Sequence, residues 1–121
     1  MKLSMTSKYM EELKQKYCDG NGAFIGAYAI RKGILTGKAF ALFVNTDMIK
    51  VVRLGIYTLN IKEDYSINKK DIDTIKTKKG LIFNNVKIKT SDGKTHKFKI
   101  QKNVWTLKES QKEVFERLSI F

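Results

Sequence analysis

Apolar residues recur at helical spacing at both ends of this chain and at alternate positions between them. Near the start, five apolar side chains fall on one face of a helix: Met5, Tyr9, Met10, Leu13 and Tyr17. This period predicts an amphipathic helix over 4–18, with Thr6 among the residues that offer an N-cap oxygen. The stretch "DGNG" at 19–22 predicts its end, and it precedes a strand rather than a helix, so it is no phosphate loop.

The end of the chain has the second helical stripe, formed by Leu107, Val114, Phe115, Leu118 and Phe121. Thr106 and Glu109 have the spacing of a capping box, which predicts where this helix begins. Trp105 precedes the cap, and we expect it to hold the helix against a sheet.

Between the helices the apolar period is two, which is typical of strands. The predicted strands are 23–31, 38–45, 48–55, 57–67, 81–90 and 94–100. In the second strand both alternating faces are apolar, which predicts a central strand buried on both sides. Gly26 is predicted to be a bulge or a point of close approach. Ile72 and Ile75 do not alternate, so we expect a bend or bulge near Asp73 in a further extended segment.

The lysine-rich stretch 77–100 predicts one hairpin with a defined register. A two-residue loop would place Ile88 opposite Lys97, an apolar and a charged residue on one face, which the period of two forbids. A three-residue loop, 91–93, with Gly93 in the left-handed position, instead pairs Ile88 with His96 on the inner face. It also pairs Val86 with Phe98 on the inner face, Lys87 with Lys97 on the outer face, and Lys89 with Thr95 on the outer face.

Length and charge narrow the class of protein. The 121 residues suit one domain, and the net charge of +12 favours an anionic partner. The basic residues are nearly all lysine, whereas sequence-specific DNA readers use more arginine. The start of the chain has no apolar signal segment and no run is long enough to span a membrane, so we expect a cytoplasmic protein.

Few residues are candidates for chemistry. Cys18 is the single cysteine, so neither an internal disulfide nor a cysteine-based zinc site can form. His96, the single histidine, is expected to be a hydrogen-bonded imidazole at the edge of the core. Asp71 and Asp73 are expected to cap a turn and to offset nearby lysines. We therefore predict no enzymatic activity, no cofactor, no metal site and no small-molecule substrate.

The basic surface is the candidate binding site. The hairpin and the segment before it supply seven lysines: Lys76, Lys78, Lys79, Lys87, Lys89, Lys97 and Lys99. One interpretation is a solvated face whose lysines cover the sheet and discourage edge-to-edge aggregation. The other is a polyanion-binding patch, mostly electrostatic because Phe83 and Phe98 are expected to lie in the core. A weaker candidate loop contains Arg31, Lys32 and Lys38.

Six or seven antiparallel strands followed by an amphipathic helix indicate an α+β fold in which the helix closes the open end of a curved sheet. The strings "FALFVNTDMIKVV" and "IDTIKTKKGLIFNNVKIKTSDGKTHKFKI" resemble those of bacterial pleckstrin-homology-like (PH-like) domains of the YokE type, found in Firmicutes. The resemblance covers about 24–121. It implies a partly open barrel of about seven strands capped by the C-terminal helix, with an extra N-terminal helix. The corresponding division is 1–22 for the helix and turn, and 23–121 for the PH-like domain.

The resemblance implies a docking module rather than a specific ligand. Eukaryotic phosphoinositide binders have a basic motif across their first two strands. Arg31, Lys32 and Lys38 lie in this zone, but the second-strand arginine is missing, so that mode of binding is not implied. We therefore expect a non-enzymatic scaffold that binds an unknown protein partner or forms a homo-oligomer. The alternative is a weak, non-specific binder of nucleic acid or of an anionic membrane surface.

Overall fold

Two helices and seven antiparallel strands make up the computed structural model, which describes residues 5–18, 24–32, 37–56, 58–102 and 107–121; of Lys32 and Lys108 only the backbone is described. The elements, in chain order, are α1 (Ser7–Tyr17), β1 (Ile25–Lys32), β2 (Gly37–Val44), β3 (Met48–Leu54), β4 (Ile61–Asn68), a short 3₁₀ helix (Lys69–Asp71), β5 (Ile72–Lys78), β6 (Phe83–Thr90), β7 (Thr95–Gln101) and α2 (Lys108–Ser119). No helix in these described ranges is long and apolar enough to cross a membrane.

The strands form one curved sheet in the order β4-β3-β2-β1-β7-β6-β5. The inner face of the sheet and α2 enclose one core, to which every strand contributes residues. Across this core the rings of Phe40 on β2 and Phe98 on β7 meet edge-on, with their centres 5.0 Å apart. The sheet therefore curls around its core, while β4 and β5 remain its two edges. This is the predicted α+β, PH-like arrangement: an open barrel closed by a C-terminal helix, with an additional N-terminal helix.

The junction between β1 and β7 is the narrowest point of the sheet. Among the described residues, only Ala29 with Ile100 and Ile30 with Lys99 are paired there, against eight residue pairs between β1 and β2. In the same register Tyr28 would be the next partner of Gln101, and the Gln111 side chain of α2 occupies that place. Its Oε1 accepts from the Tyr28 N–H at 2.5 Å, and its Nε2 donates to the carbonyls of Tyr28 and Gln101 at 2.8 and 2.9 Å. Gln111 thus continues the ladder where the strands diverge.

The outer face of β1–β3 has a second core, covered by α1. As predicted, β2 is buried on both sides, with Phe40, Leu42 and Val44 in the inner core and Ala39, Ala41 and Phe43 in the outer one. Met10 and Leu13 of α1 lie in the outer core, and the Tyr9 hydroxyl donates to the Leu59 carbonyl at 2.5 Å. The Thr6 hydroxyl caps α1 by accepting from the Tyr9 N–H at 3.1 Å, as predicted.

Gly26 is a point of close approach. A Cβ there would lie 2.8 Å from Cε1 of Phe43 and 3.1 Å from Sδ of Met10, while β1 and β2 pair without a register shift. The expectation of close approach is confirmed, and the alternative of a bulge is wrong. Glycine lets α1 and the Phe43 ring reach the strand backbone.

The hairpin has the predicted register, with Val86 opposite Phe98, Lys87 opposite Lys97, Ile88 opposite His96 and Lys89 opposite Thr95. Gly93 has φ +88°, the left-handed conformation that the three-residue loop requires. The Asp92 carboxylate accepts from the Thr90 hydroxyl and from the Lys94 N–H, which fixes the turn. The pairing of β5 with β6 shifts register between Ile72 and Thr74, so the irregularity expected near Asp73 is confirmed.

Two sequence expectations are wrong in detail. The strand predicted for 57–67 begins at Ile61, because the chain turns after Gly55: the Leu59 N–H donates to the Gly55 carbonyl at 2.8 Å, and Leu59 has φ 57°. Leu59 is buried against α1, so its apolar character reflects tertiary packing rather than strand alternation. Phe83 lies on the outer face of β6, because its neighbour Asn84 points inward with Val86.

Several expectations lie outside the described residues: the "DGNG" stop, Trp105 and the Thr106 half of the capping box. The described part of α2 begins at Lys108, with Leu107 in the N-cap position. The predicted stripe of α2 is confirmed, since Leu107, Val114, Phe115 and Leu118 are buried and Phe121 packs against the inner core.

Replacing Gln111 by leucine should destabilise the fold strongly. The Tyr28 N–H and the carbonyls of Tyr28 and Gln101 would lose their buried partner, at a cost of roughly 2–5 kcal/mol in the free energy of unfolding. Urea denaturation measures this loss. Gln15→Leu, at an exposed position of α1, is the matched control and should change stability by less than about 0.5 kcal/mol. Equal effects of the two substitutions would contradict the role of Gln111.

Gly26→Ala should destabilise the chain by about 1–3 kcal/mol, because the added methyl group overlaps the Phe43 ring and the Met10 sulfur. Denaturation of Gly26→Ala, Phe43→Leu and the double variant tests the cause. Since leucine lacks the ring edge that the methyl meets, the alanine should cost less in the Phe43→Leu background. An unchanged cost would show that the close approach to Phe43 is unimportant.

Candidate anion-binding face

The outer face of β5–β7 places lysines in rows that run across the strands. Lys76 of β5 is opposite Lys87 of β6, which is opposite Lys97 of β7. In the next row Lys78 and Lys99 flank Asn85, and on the other side Lys89 lies between Thr74 and Thr95. Side chains directly opposite each other are about 4.5–5.5 Å apart at Cβ, so the three lysines of the central row are close neighbours.

A shallow groove of about 350 Å³ gathers most of these side chains. Its described lining includes Arg31 and the predicted residues Lys76, Lys78, Lys87, Lys97 and Lys99; we call these six residues the basic face. Arg31, predicted to belong to a separate loop, joins the lysines because β1 lies beside β7 in the sheet. No local sequence pattern indicates this neighbour, since it depends on a pairing between the two ends of the barrel.

The remaining predicted residues lie elsewhere. Lys89 occupies the adjacent row, and Lys79 lines a different cleft, beside α2. Lys38 is exposed and is opposite Arg31 in the pairing of β1 with β2, while the side chain of Lys32 is outside the described part of the structure. The seven lysines therefore divide into five that line the groove, Lys89 in the adjacent row, and Lys79 at the cleft beside α2.

The charge of the basic face is not offset locally. None of the described residues that line the groove is a carboxylate. The ion pairs found in the described ranges lie on β3 and β4, where Lys50 bonds Asp64 at 2.9 Å and Arg53 bonds Glu63 at 2.8 Å. The positive potential of β5–β7 is therefore available to an external anion.

Phe83 adds an aromatic ring to this side of the sheet. It is half-buried on the outer face of β6, and Nζ of Lys99 lies 5.8 Å from the centre of its ring. The expectation that Phe83 belongs to the core is wrong, whereas Phe98 is buried as expected. The missed signal is the alternation itself, because Phe83 shares the parity of Lys87 and Lys89 rather than that of Val86 and Ile88.

His96 lies on the inner face, as expected, near the open end of the barrel. Its Nδ1 is 3.5 Å from the Tyr65 hydroxyl, and the two rings are 5.7 Å apart. Burial lowers the pKa of His96, with Lys94 and Arg31 acting in the same direction and Asp92 opposing them. Burial also raises the pKa of Tyr65. The pair is neutral near pH 7, which suits the edge of an apolar core.

Two further features could support chemistry: the single cysteine and any cluster of metal-binding side chains. Cys18 is buried beside α1. Within the described residues, no group of three or more histidine, cysteine, aspartate or glutamate side chains is placed to hold a metal ion.

The chain matches no protein-family model, no curated protein and no solved structure. The resemblance to bacterial PH-like proteins of the YokE type thus stays a hypothesis about ancestry. The PH-like arrangement of the strands and α2 is a separate finding, which comes from the fold itself.

Stability should fall on mild acidification because of His96. Its pKa in the folded state is below the ordinary 6.5, so the unfolded chain takes up the proton first as the pH falls. The contribution is complete above pH 6.5 and is lost as the pH drops through that value towards the folded pKa. Melting temperatures measured from about pH 7.5 to pH 5 should decrease, and His96→Gln, which cannot titrate, should flatten the decrease.

The titration of Asp92 does not contribute to the change in melting temperature between about pH 7.5 and pH 5. Hydrogen bonds from the Thr90 hydroxyl and the Lys94 N–H lower the pKa of Asp92 below its ordinary 3.8. Its contribution to stability is therefore lost only at more acidic pH. An unchanged slope in His96→Gln would rule out His96 as the source of the acid sensitivity.

Proposed function

We propose that this protein is a non-enzymatic binding domain whose basic face docks onto anionic lipid surfaces. The observation that carries the proposal is the in-register row Lys76, Lys87 and Lys97, beside a groove whose described lining has no carboxylate. Like charges directly opposite each other destabilise a sheet, so the row costs free energy that a bound polyanion would recover. Each lysine or arginine near an anionic membrane contributes roughly 1 kcal/mol to binding.

The loop before β6 favours a membrane over nucleic acid. Leu81 and Ile82 are 97% and 60% exposed, and they follow Lys78, Lys79 and Gly80 in the chain. An exposed apolar pair beside clustered lysines is suited to a headgroup region, where the lysines meet phosphates and the apolar side chains enter the acyl boundary. Removal of each apolar side chain from water contributes up to roughly 1.5–3 kcal/mol. Nucleic acid offers the lysines the same phosphates but nothing apolar at that depth.

Binding to lipid vesicles tests this function. Wild type should sediment with phosphatidylcholine vesicles that contain phosphatidylserine, but not with phosphatidylcholine alone, and retention should fall with added salt. The triple substitution Lys76→Glu, Lys87→Glu and Lys97→Glu should abolish retention. The matched control places the same charge change on exposed lysines outside the basic face, as Lys8→Glu, Lys62→Glu and Lys70→Glu, and should retain most binding.

The loop has its own test. Leu81→Ala with Ile82→Ala should weaken vesicle binding about tenfold or more at high salt, where the apolar contribution remains, and should leave DNA binding unchanged. Retention on DNA but not on vesicles would replace the lipid surface by nucleic acid. If the two triple variants behave alike, the basic face is not the binding site.

The scaffold role expected from the sequence is the second candidate. Ile120, at the end of α2, is 82% exposed, and β4 and β5 leave two sheet edges. An exposed edge can pair with another chain. We propose self-assembly through these features as this second function. Light scattering at micromolar concentration should then give more than one copy per particle. A monomer, together with a pull-down that captures no partner, would contradict the scaffold role.

A further inference from the structure

A second cleft lies between α2 and the sheet, apart from the basic face. It has a volume of about 380 Å³, at the small end of the range of ligand pockets. We call it the α2 cleft and define it by Asn84, Lys79 and Lys102 on the sheet side and by Glu109, Phe115 and Glu116 on the helix side. Its wall thus combines a buried amide, charges of both signs and one aromatic ring.

Asn84 is the unusual residue of this cleft. It is opposite Ile100 in the pairing of β6 with β7 and points inward like Val86 and Ile88, which are apolar core residues. Asn84 is only 8% exposed, and its Oδ1 is buried without a hydrogen-bond partner. A buried acceptor without a donor costs free energy that an apolar side chain of the same size would not.

The other buried polar residues of the described core have partners. The Thr90 hydroxyl bonds Asp92 and the Lys94 carbonyl, and the Gln111 amide bonds Tyr28 and Gln101. Both contribute to the fold, one by fixing the hairpin turn and the other by joining β1 to β7. The side-chain oxygen of Asn84 makes no such hydrogen bond, and Asn84 lines a cleft large enough for a ligand.

The charges around Asn84 limit the chemistry of that ligand. On the helix side, two carboxylates, Glu109 and Glu116, line the cleft with one cation, Lys112, so this side keeps a net negative charge that favours an ammonium group. On the sheet side, Lys79 and Lys102 line the same cleft as Asn84. A ligand that fits needs a hydrogen-bond donor for Asn84 and an anionic group for the two lysines.

We propose that the α2 cleft binds small amphoteric molecules of the α-amino acid class. The ammonium group donates to Oδ1 of Asn84 and lies on the side of Glu109 and Glu116, the carboxylate meets Lys79 and Lys102, and the side chain lies towards Phe115. This is a ligand and not a substrate. The α2 cleft shares Lys79 with the loop before β6 but shares no residue with the basic face, so either proposal can fail without the other.

Amide chemical shifts of isotope-labelled protein test the ligand class. Millimolar L-leucine or L-phenylalanine should shift resonances of 79–84 and of 109–116, while those of the basic face on β7 stay in place. Isocaproate and hydrocinnamate have the same carbon skeletons as these amino acids but no amine. Their affinity should be lower by a factor of about five or more, because they have no donor for Asn84. The absence of shifts from both amino acids, or equal affinity of the amine-free acids, would overturn the proposal.

Asn84→Leu separates a binding role from a structural one. Leucine removes the unsatisfied oxygen, so the melting temperature should rise by roughly 3–10 °C while the amino-acid shifts are lost. Thr90→Val, at a buried polar position of the same strand whose hydroxyl is bonded, should lower the melting temperature and keep the shifts. A lower melting temperature in Asn84→Leu would mean that Oδ1 has a structural partner, and shifts that survive in this variant would place the ligand elsewhere; either result would overturn the proposal.

Discussion

The buried amide of Gln111 holds the two halves of the sheet together. Strands β1 and β7 share only two residue pairs, and beyond Ala29 and Ile100 the side chain of Gln111 supplies the hydrogen bonds that the diverging backbones cannot make to each other. Because Gln111 belongs to α2, the bonds that continue the ladder also hold the helix over the open side of the barrel. Without them the inner core, which receives residues from both halves of the sheet and from α2, would lose its alignment.

The same junction positions the basic face. Arg31 is on β1, and the lysines around it are on β5, β6 and β7. They share a groove because β1 and β7 are neighbours, although about half of the chain lies between the two strands. The row of Lys76, Lys87 and Lys97 is fixed in turn by the hairpin register, which depends on Gly93 and on Val86 and Ile88 facing inward. The charges on the surface therefore follow from constraints in the core and in the turn.

Local periodicity predicted the elements, the two buried faces of β2 and the register of the hairpin, since each depends on neighbouring residues. It missed features that depend on distant pairing. Leu59 alternates with Ile61 like a strand residue but is buried in a turn by α1. Gln111 follows Leu107 by four residues and precedes Phe115 by four, so a polar residue on an apolar stripe was a readable signal, although its partners were not. The unsatisfied oxygen of Asn84 could not be inferred at all, because it depends on what surrounds the side chain.

Strand β6 concentrates the local costs of this fold. Its outer face holds Lys87 between two other lysines, and its inner face buries Asn84 without a partner for Oδ1. Both costs are sustained because β6 is paired on each side and because Val86 and Ile88 are buried in the core. A strand under selection for stability alone would exchange Asn84 for an apolar residue and interrupt the lysine row with a carboxylate. Residues that work against stability on opposite faces of a well-anchored strand are typical of sites whose contacts are made only with a ligand present, and this is the basis of both binding proposals.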